Sequence, residues 1–143
     1  MLIRRLKIED AAECYAIESA TFSDPWSLES FEKEANAKDH IYLVAEDDGA
    51  IAGYCGCWNV CGEGQIYNVA VREDMRGKGL GRKLMTELLK EGEKAGITAF
   101  TLEVRLGNEP AKALYHSLGF EDAGIRKNFY ESPTEDAIIM WRK

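Results

Sequence analysis

The chain opens on Leu2-Ile3-Arg4-Arg5-Leu6, which predicts a short strand over residues 2–6. Ala11, Cys14 and Ile17 then recur at helical spacing behind Asp10, a good N-cap, and predict a helix through about residue 20, with Phe22 after the turn. Pro25 stops any continuation. Ser27 caps a second predicted helix, roughly 28–37, which carries Phe31 and Ala35 on one face. Residues 41–46 and 51–58 alternate as strands do and flank Asp47-Asp48-Gly49-Ala50, where glycine's tolerance of positive φ favours a hairpin. A third run, 65–71, extends the antiparallel sheet.

A glycine-rich turn follows. Leu84, Leu88 and Glu91/Ala95 then mark a long helix, about 81–95, closed by Gly96. Residues 97–104 read as the next strand. Asn108 caps a short helix in which Ala111, Leu114, Tyr115 and Leu118 occupy i, i+3, i+4 and i+7, and Gly119 ends it. Two last strands, near 120–126 and 137–142, are expected to pair across the loop carrying Pro133. The order β-α-α-β-β-β-α-β-α-β-β predicts an α+β fold, a mixed sheet with helices on its faces. No repeat, linker or low-complexity stretch interrupts it, and 143 residues suit one domain over 1–143.

Charge narrows the partners. The 18 Lys and Arg against 25 Asp and Glu leave a net −7, which argues against sequence-independent binding of nucleic acid or an anionic membrane and favours a basic protein partner. No apolar run approaches the ~20 residues of a membrane-spanning helix, and Met1 to Leu6 lacks the apolar stretch and cleavage site of a signal peptide. A cytoplasmic protein is expected. Cys55, Cys57 and Cys61 form a Cys-x-Cys-x3-Cys cluster, but structural zinc sites usually place cysteine pairs on turns, in two halves. Cys55 and Cys57 instead lie in a strand-like run, two residues apart and so on one sheet face, where reduced thiols fill small core positions. No metal is expected.

Chemistry first shows at Val69-Ala70-Val71-Arg72-Glu73-Asp74-Met75-Arg76-Gly77-Lys78-Gly79-Leu80-Gly81-Arg82, a strand, then glycines, then a helix. Gly77, Gly79 and Gly81 remove side chains so that successive N–H groups can face an anion beside the helix N-terminus, and Arg76, Lys78 and Arg82 gather positive charge there. Such a loop suits a pyrophosphate. The P-loop pattern fails, because from Gly77 its second glycine falls on Arg82 and no Lys-Ser or Lys-Thr follows. The Rossmann pattern fails too, since its last glycine falls on Arg82 or Leu84.

Arg76-Gly77-Lys78-Gly79-Leu80-Gly81 resembles the Arg/Gln-x-x-Gly-x-Gly/Ala pyrophosphate loop of the GNAT family of acyl-CoA-dependent N-acyltransferases. Downstream, Asn108 followed by Ala113-Leu114-Tyr115-His116-Ser117-Leu118-Gly119-Phe120 resembles that family's Asn and Ala-Leu-Tyr-x-x-x-Gly-Phe signature. Three further segments are similar to the bacterial RimI-type branch, the ribosomal-protein-alanine N-acetyltransferases. They are Asp24-Pro25-Trp26-Ser27, then Leu102-Glu103-Val104-Arg105, and then Arg126-Lys127-Asn128-Phe129-Tyr130 with Glu135-Asp136-Ala137-Ile138-Ile139-Met140. The resemblance covers essentially the whole chain and implies the GNAT fold, a mostly antiparallel seven-stranded sheet flanked by four helices.

Acetyl transfer from a thioester to an amine needs a neutral amine, a stabilised oxyanion and a proton for the departing thiolate. The resemblance implies acetyl-CoA as co-substrate, Glu103 as general base, directly or through a water, and Tyr115 as general acid. It implies cofactor contacts from the Val69, Ala70 and Val71 backbone, from the loop Arg76, Gly77, Lys78, Gly79, Leu80, Gly81 and Arg82, and from Asn108. Without it, Glu103 reads as a solvated strand-end carboxylate and Tyr115 as a core residue on an apolar helix face. His40 and His116 fit no catalytic position, and Trp26, Tyr42, Trp58 and Tyr130 are left unassigned. The implied acceptor is the basic N-terminal peptide of a small-subunit ribosomal protein. A small-molecule amine, a lysine side chain, and a non-catalytic acyl-CoA-binding module stay open as alternatives.

Overall fold

A computed structural model describes residues 1–143. Strand β1 (Leu2–Arg5) leads through a 3-10 turn, Ile8–Asp10, into helices α1 (Ala11–Thr21) and α2 (Leu28–Glu34). An antiparallel meander follows: β2 (His40–Asp47), β3 (Ala50–Val60) and β4 (Glu63–Val71). A second 3-10 turn at Glu73–Met75 precedes α3 (Leu80–Lys94), β5 (Ala99–Arg105), α4 (Glu109–Ser117), β6 (Glu121–Glu131) and β7 (Thr134–Arg142). The sheet has seven strands in the order β1-β2-β3-β4-β5-β7-β6, with β4–β5 the single parallel pair.

Local chemistry explains most boundaries. Asp48 and Gly49 take φ of 51° and 78°, the left-handed pair that a two-residue hairpin turn requires. Ser27 Oγ accepts from the Ser30 N–H at 3.1 Å and starts α2, and Asn108 Oδ1 accepts from the Ala111 N–H at 3.3 Å and starts α4. Asp10 departs from expectation. A 3-10 turn already precedes α1, so the Asp10 carboxylate folds back to accept the Lys7 N–H at 2.8 Å and the Arg4 guanidinium at 2.8 and 3.0 Å. The last hairpin also runs further than 120–126 and 137–142, and β6 is an edge strand exposed along nearly its whole length.

Both sheet faces are covered. Ile41, Leu43 and Ala45 of β2 pack with Leu84, Met85, Leu88 and Leu89 of α3, whereas Tyr42 and Val44 face the opposite core with Cys14, Ile17 and Phe31 from α1 and α2. Each large α3 side chain so buried contributes about 1.5–3 kcal/mol relative to exposure. Cys55 and Cys57 share one core as free thiols; Cys61, by contrast, is exposed at the β3–β4 turn. Gly56 sits under Tyr42, whose ring lies 2.2 Å from where a Cβ would stand, so glycine there lets the phenol cross the sheet. No helix is long and apolar enough to cross a membrane.

Candidate active site

The parallel seam is short. β4 and β5 pair only at Glu63–Ala99, Gly64–Phe100 and Gln65–Thr101, and beyond Gln65 the two strands separate, each still bonded to its outer neighbour. A bulge helps: Gly56 faces Asn68 while Cys57 faces Ile66, so Tyr67 is the extra residue on β4 and the strand bends there. The split opens a cleft of about 960 Å³ at the carboxyl ends of the two strands. Val69, Ala70 and Val71 line one wall, and their inner edge has no ladder partner, so that apart from the Val71 carbonyl, which Arg76 occupies, its backbone groups are left to pair with an extended ligand. Leu102, Glu103, Val104 and Arg105 line the other wall.

At one end of the cleft lies the glycine loop. Gly77 and Gly79 take φ of 79° and 78°, which L side chains rarely adopt, and a Cβ on either would meet nothing within 4 Å. Their role is to turn the chain so that α3 begins at the cleft. The first helical bond closes from the Lys83 N–H to the Gly79 carbonyl at 3.1 Å, which leaves the N–H groups of Leu80, Gly81 and Arg82 without helical acceptors beside the positive end of the helix dipole. That is a cradle for an anion. Gly81, inside the first turn of α3, is under no such constraint: a Cβ there would stand 3.5 Å from the Leu114 side chain, an ordinary van der Waals contact.

The cleft also brings in Arg76, Gly77, Gly79, Leu80, Gly81 and Asn108. The Arg76 guanidinium braces the loop, donating to the Val71 carbonyl at 2.9 Å and to Thr21 Oγ1 at 3.2 Å. Two predicted contacts do not line the cleft. Arg82, about 200° around the helix from Leu80, turns its guanidinium to Ser117 Oγ at 2.7 Å and borders a separate depression with Ile3 and Thr86. Lys78 is exposed on the loop and stands outside the lining.

Glu103 and Tyr115 both line the cleft. Glu103 is half-buried at the diverging end of β5, and the pKa values of the Tyr67 and Tyr130 phenols are raised by burial first and then by its negative charge. Tyr130 is pushed up to about 12, by burial first and then by Glu103. Tyr115, buried on α4, is pushed well above its ordinary 10 by burial, with smaller contributions from Tyr130 and Cys55. Its hydroxyl therefore stays protonated at neutral pH. His40 and His116 lie outside the cleft, one on Glu34 and stacked against Trp58, the other on Asp122.

The cleft also holds residues the sequence reading left unassigned. Trp26 from the α1–α2 segment and Tyr130 from β6 line it, together with Phe22, Asp24, Ser132 and Pro133. Ser23 Oγ donates to the Ser132 carbonyl, so the α1–α2 segment and the β6–β7 turn meet over the cleft. Arg105 fixes that turn: it donates to the Pro133 carbonyl at 2.9 Å and to Glu135 at 3.2 Å, and it lies 4.3 Å from the Tyr130 ring centroid. Trp26, Arg105 and Tyr130 all fall in the three segments that carry the narrower resemblance, which was the available signal. Tyr42 and Trp58 do not line the cleft.

Comparison with known proteins agrees with this architecture. The acetyltransferase (GNAT) family matches residues 11–120. A Bacillus subtilis relative is 41% identical over 140 residues, covering 97% of this chain and 93% of that protein, and is named, provisionally, a ribosomal protein bS18-alanine N-acetyltransferase. The ribosomal protein bS18-alanine N-acetyltransferase of Escherichia coli K12 is 37% identical over 140 residues, 96% of this chain and 94% of that protein. The crystal structure of the Escherichia coli ribosomal-protein-S18-alanine N-acetyltransferase superposes with a TM-score of 0.90 at 36% identity, covering 99% of this chain and 92% of that one. A strand pair that splits after three residues, a glycine loop that delivers a helix N-terminus to the split, and this likeness along nearly the full length lead to one assignment: the chain belongs to the GNAT family and is an N-acetyltransferase.

Proposed function

We propose that the protein transfers the acetyl group of acetyl-CoA to the N-terminal α-amine, an alanine, of a small-subunit ribosomal protein. The observation that carries this reading is the split between β4 and β5, with an anion cradle at one end and Glu103 and Tyr115 along its walls. The relatives named above act on ribosomal protein bS18, which supports the acceptor.

In this reading the N–H groups of Leu80, Gly81 and Arg82, with Gly77 and Gly79 shaping the turn, hold the pyrophosphate. Arg76 acts as the brace of that loop, Lys78 adds diffuse positive charge, and Arg82 contributes its backbone rather than its guanidinium. The free edge of Val69, Ala70 and Val71 pairs with the pantetheine arm as an added strand, one of its N–H groups steadies the thioester oxygen, and Asn108 contacts the arm from the α4 end. The acceptor nitrogen attacks the thioester carbon directly. Glu103 takes the amine proton, directly or through a water, while the C–S bond breaks and Tyr115 gives the thiolate its proton.

An N-terminal amine suits a modest base. With a pKa of about 7.7–8.0 against about 10.4 for lysine, it is roughly 300-fold richer in neutral amine at pH 7. No cysteine lines the cleft, and Cys55 is held as a neutral thiol by burial, in keeping with direct attack rather than an acyl-enzyme.

The test is mass spectrometry of a basic peptide with a free N-terminal alanine and of its N-blocked, lysine-containing twin, each incubated with enzyme and acetyl-CoA. Acetylation of the free-amine peptide alone is expected. Transfer to the twin would move the acceptor to lysine, and transfer to neither, with acetyl-CoA bound, would overturn the N-terminal reading.

A further inference from the structure

Glu18 sits on the inner face of α1 with 3% of its surface exposed and lines the cleft. Burying a carboxylate is costly unless every oxygen is occupied, and no cation pairs with this one. Its partners are neutral donors. Oε1 accepts the Tyr54 hydroxyl at 2.5 Å and the Asn68 side-chain amide at 3.4 Å, and Oε2 accepts the Trp26 backbone N–H at 3.0 Å. Asn68 in turn accepts the Tyr42 hydroxyl at 2.6 Å. A position needing only bulk would take leucine or methionine at lower cost, so the carboxylate is retained for what it holds.

It holds the irregular segment between α1 and α2 at both ends. The Phe22 N–H donates to the Glu18 backbone carbonyl at 2.9 Å, and four residues later the Trp26 N–H donates to its side chain. Phe22, Ser23, Asp24 and Trp26 form a wall of the cleft. Through Asn68 the same carboxylate reaches β4 beside the Tyr67 bulge.

We propose that Glu18 is a positioning residue which sets this wall against the β4 bulge and so fixes the approach of the acceptor amine to Glu103. The inference rests on the reading of this wall of the cleft as the acceptor side. Glutamine cannot accept from Tyr54 and Trp26 through two oxygens, so Glu18→Gln leaves one donor facing an amide NH2.

Steady-state kinetics with the alanine peptide, acetyl-CoA titration and amide exchange followed by NMR test the proposal together. Glu18→Gln is expected to raise the peptide KM about tenfold, as loss of one charge-assisted hydrogen bond implies, with acetyl-CoA affinity held within about twofold. The Trp26 amide exchanges faster, while the Phe31 amide, bonded to the Ser27 carbonyl, does not change. Tyr54→Phe removes one donor only and is expected to raise the peptide KM about threefold, a partial loss of the same kind, which keeps the proposal testable if Glu18→Gln does not fold. An unchanged peptide KM with unchanged Trp26 exchange would overturn it, as would a parallel loss of acetyl-CoA affinity. Wild-type enzyme that acetylates no peptide would instead defeat the function reading, and Trp26 exchange would still decide whether Glu18 holds the wall.

Discussion

Tyr115→Phe removes a single oxygen and leaves the packing in place. The ring is 9% exposed and meets Phe120 edge-on, with centroids 6.0 Å apart, contacts that phenylalanine keeps. Trp58 Nε1 is the one buried side-chain polar atom without a partner, so the Tyr115 hydroxyl, which bonds to nothing in the protein, opens onto the cleft. Folding stability should therefore shift by less than about 0.5 kcal/mol. Turnover is a different matter. Losing a general acid removes about 10²–10⁴-fold in rate, or roughly 2.7–5.5 kcal/mol of transition-state stabilisation at 1.36 kcal/mol per decade. Because burial holds the phenol well above 10, it stays protonated from pH 6 to 9, and the ratio of wild-type to variant kcat is expected to be flat across that range. The assay is kcat from thiol release alongside calorimetric acetyl-CoA affinity and a denaturant midpoint. A kcat within twofold of wild type would remove Tyr115 from the leaving-group step, and a matched fall in affinity and stability would reduce it to packing.

Glu103→Gln is expected to lower kcat/KM about 10²-fold, with the largest loss below the α-amine pKa, where base assistance matters more; a loss independent of pH would make Glu103 structural. Gly79→Ala meets no steric obstacle, so its cost is the left-handed backbone at φ 78°, about 1–2 kcal/mol in urea denaturation, together with weaker acetyl-CoA binding; unaltered values for both would mean that the loop does not present the helix N-terminus. Asp10 is partly desolvated, but the Arg4 guanidinium and the Lys7 N–H outweigh burial and hold its carboxyl below the usual range. Its stabilisation is thus present above about pH 3.9 and lost as pH falls through the lower folded value. Asp10→Asn should be less stable than wild type by about 1–3 kcal/mol at pH 7, a gap that closes in acid; a constant gap down to pH 2 would refute the ion pair's role.

What could be read from sequence divides along physical lines. The Asp48-Gly49 turn, the Ser27 and Asn108 caps and the Leu84–Leu88 rhythm of α3 are fixed by neighbours within a few residues, and each appears as expected. The whole element order followed, with Glu103, Tyr115, Asn108 and the glycine loop gathered at one cleft. Asp10 misled because its carboxylate found a distant guanidinium in place of its own helix. The direction of the Arg82 guanidinium, toward Ser117, was not legible because charge along a loop does not say which side of the next helix a side chain takes. The parting of β4 from β5 and the Glu18 network depend on pairing across distant segments, Gly56 with Asn68 and α1 with β3, for which local periodicity carries no trace.

Three residue pairs make up the whole ladder between the β1–β4 half of the sheet and the β5–β7 half. A ligand that paired with the β4 edge and also touched β5 or α4 would add a further rung between them, so the co-substrate would double as mortar. Saturation at a hundred times its dissociation constant would add about 2.7 kcal/mol to the stability of the whole chain, and the added protection against exchange would spread into β7 and β3, far from any atom the ligand touches. The enzyme would then be stiffest when charged with its acyl donor and would loosen, both blocks at once, each time spent carrier leaves.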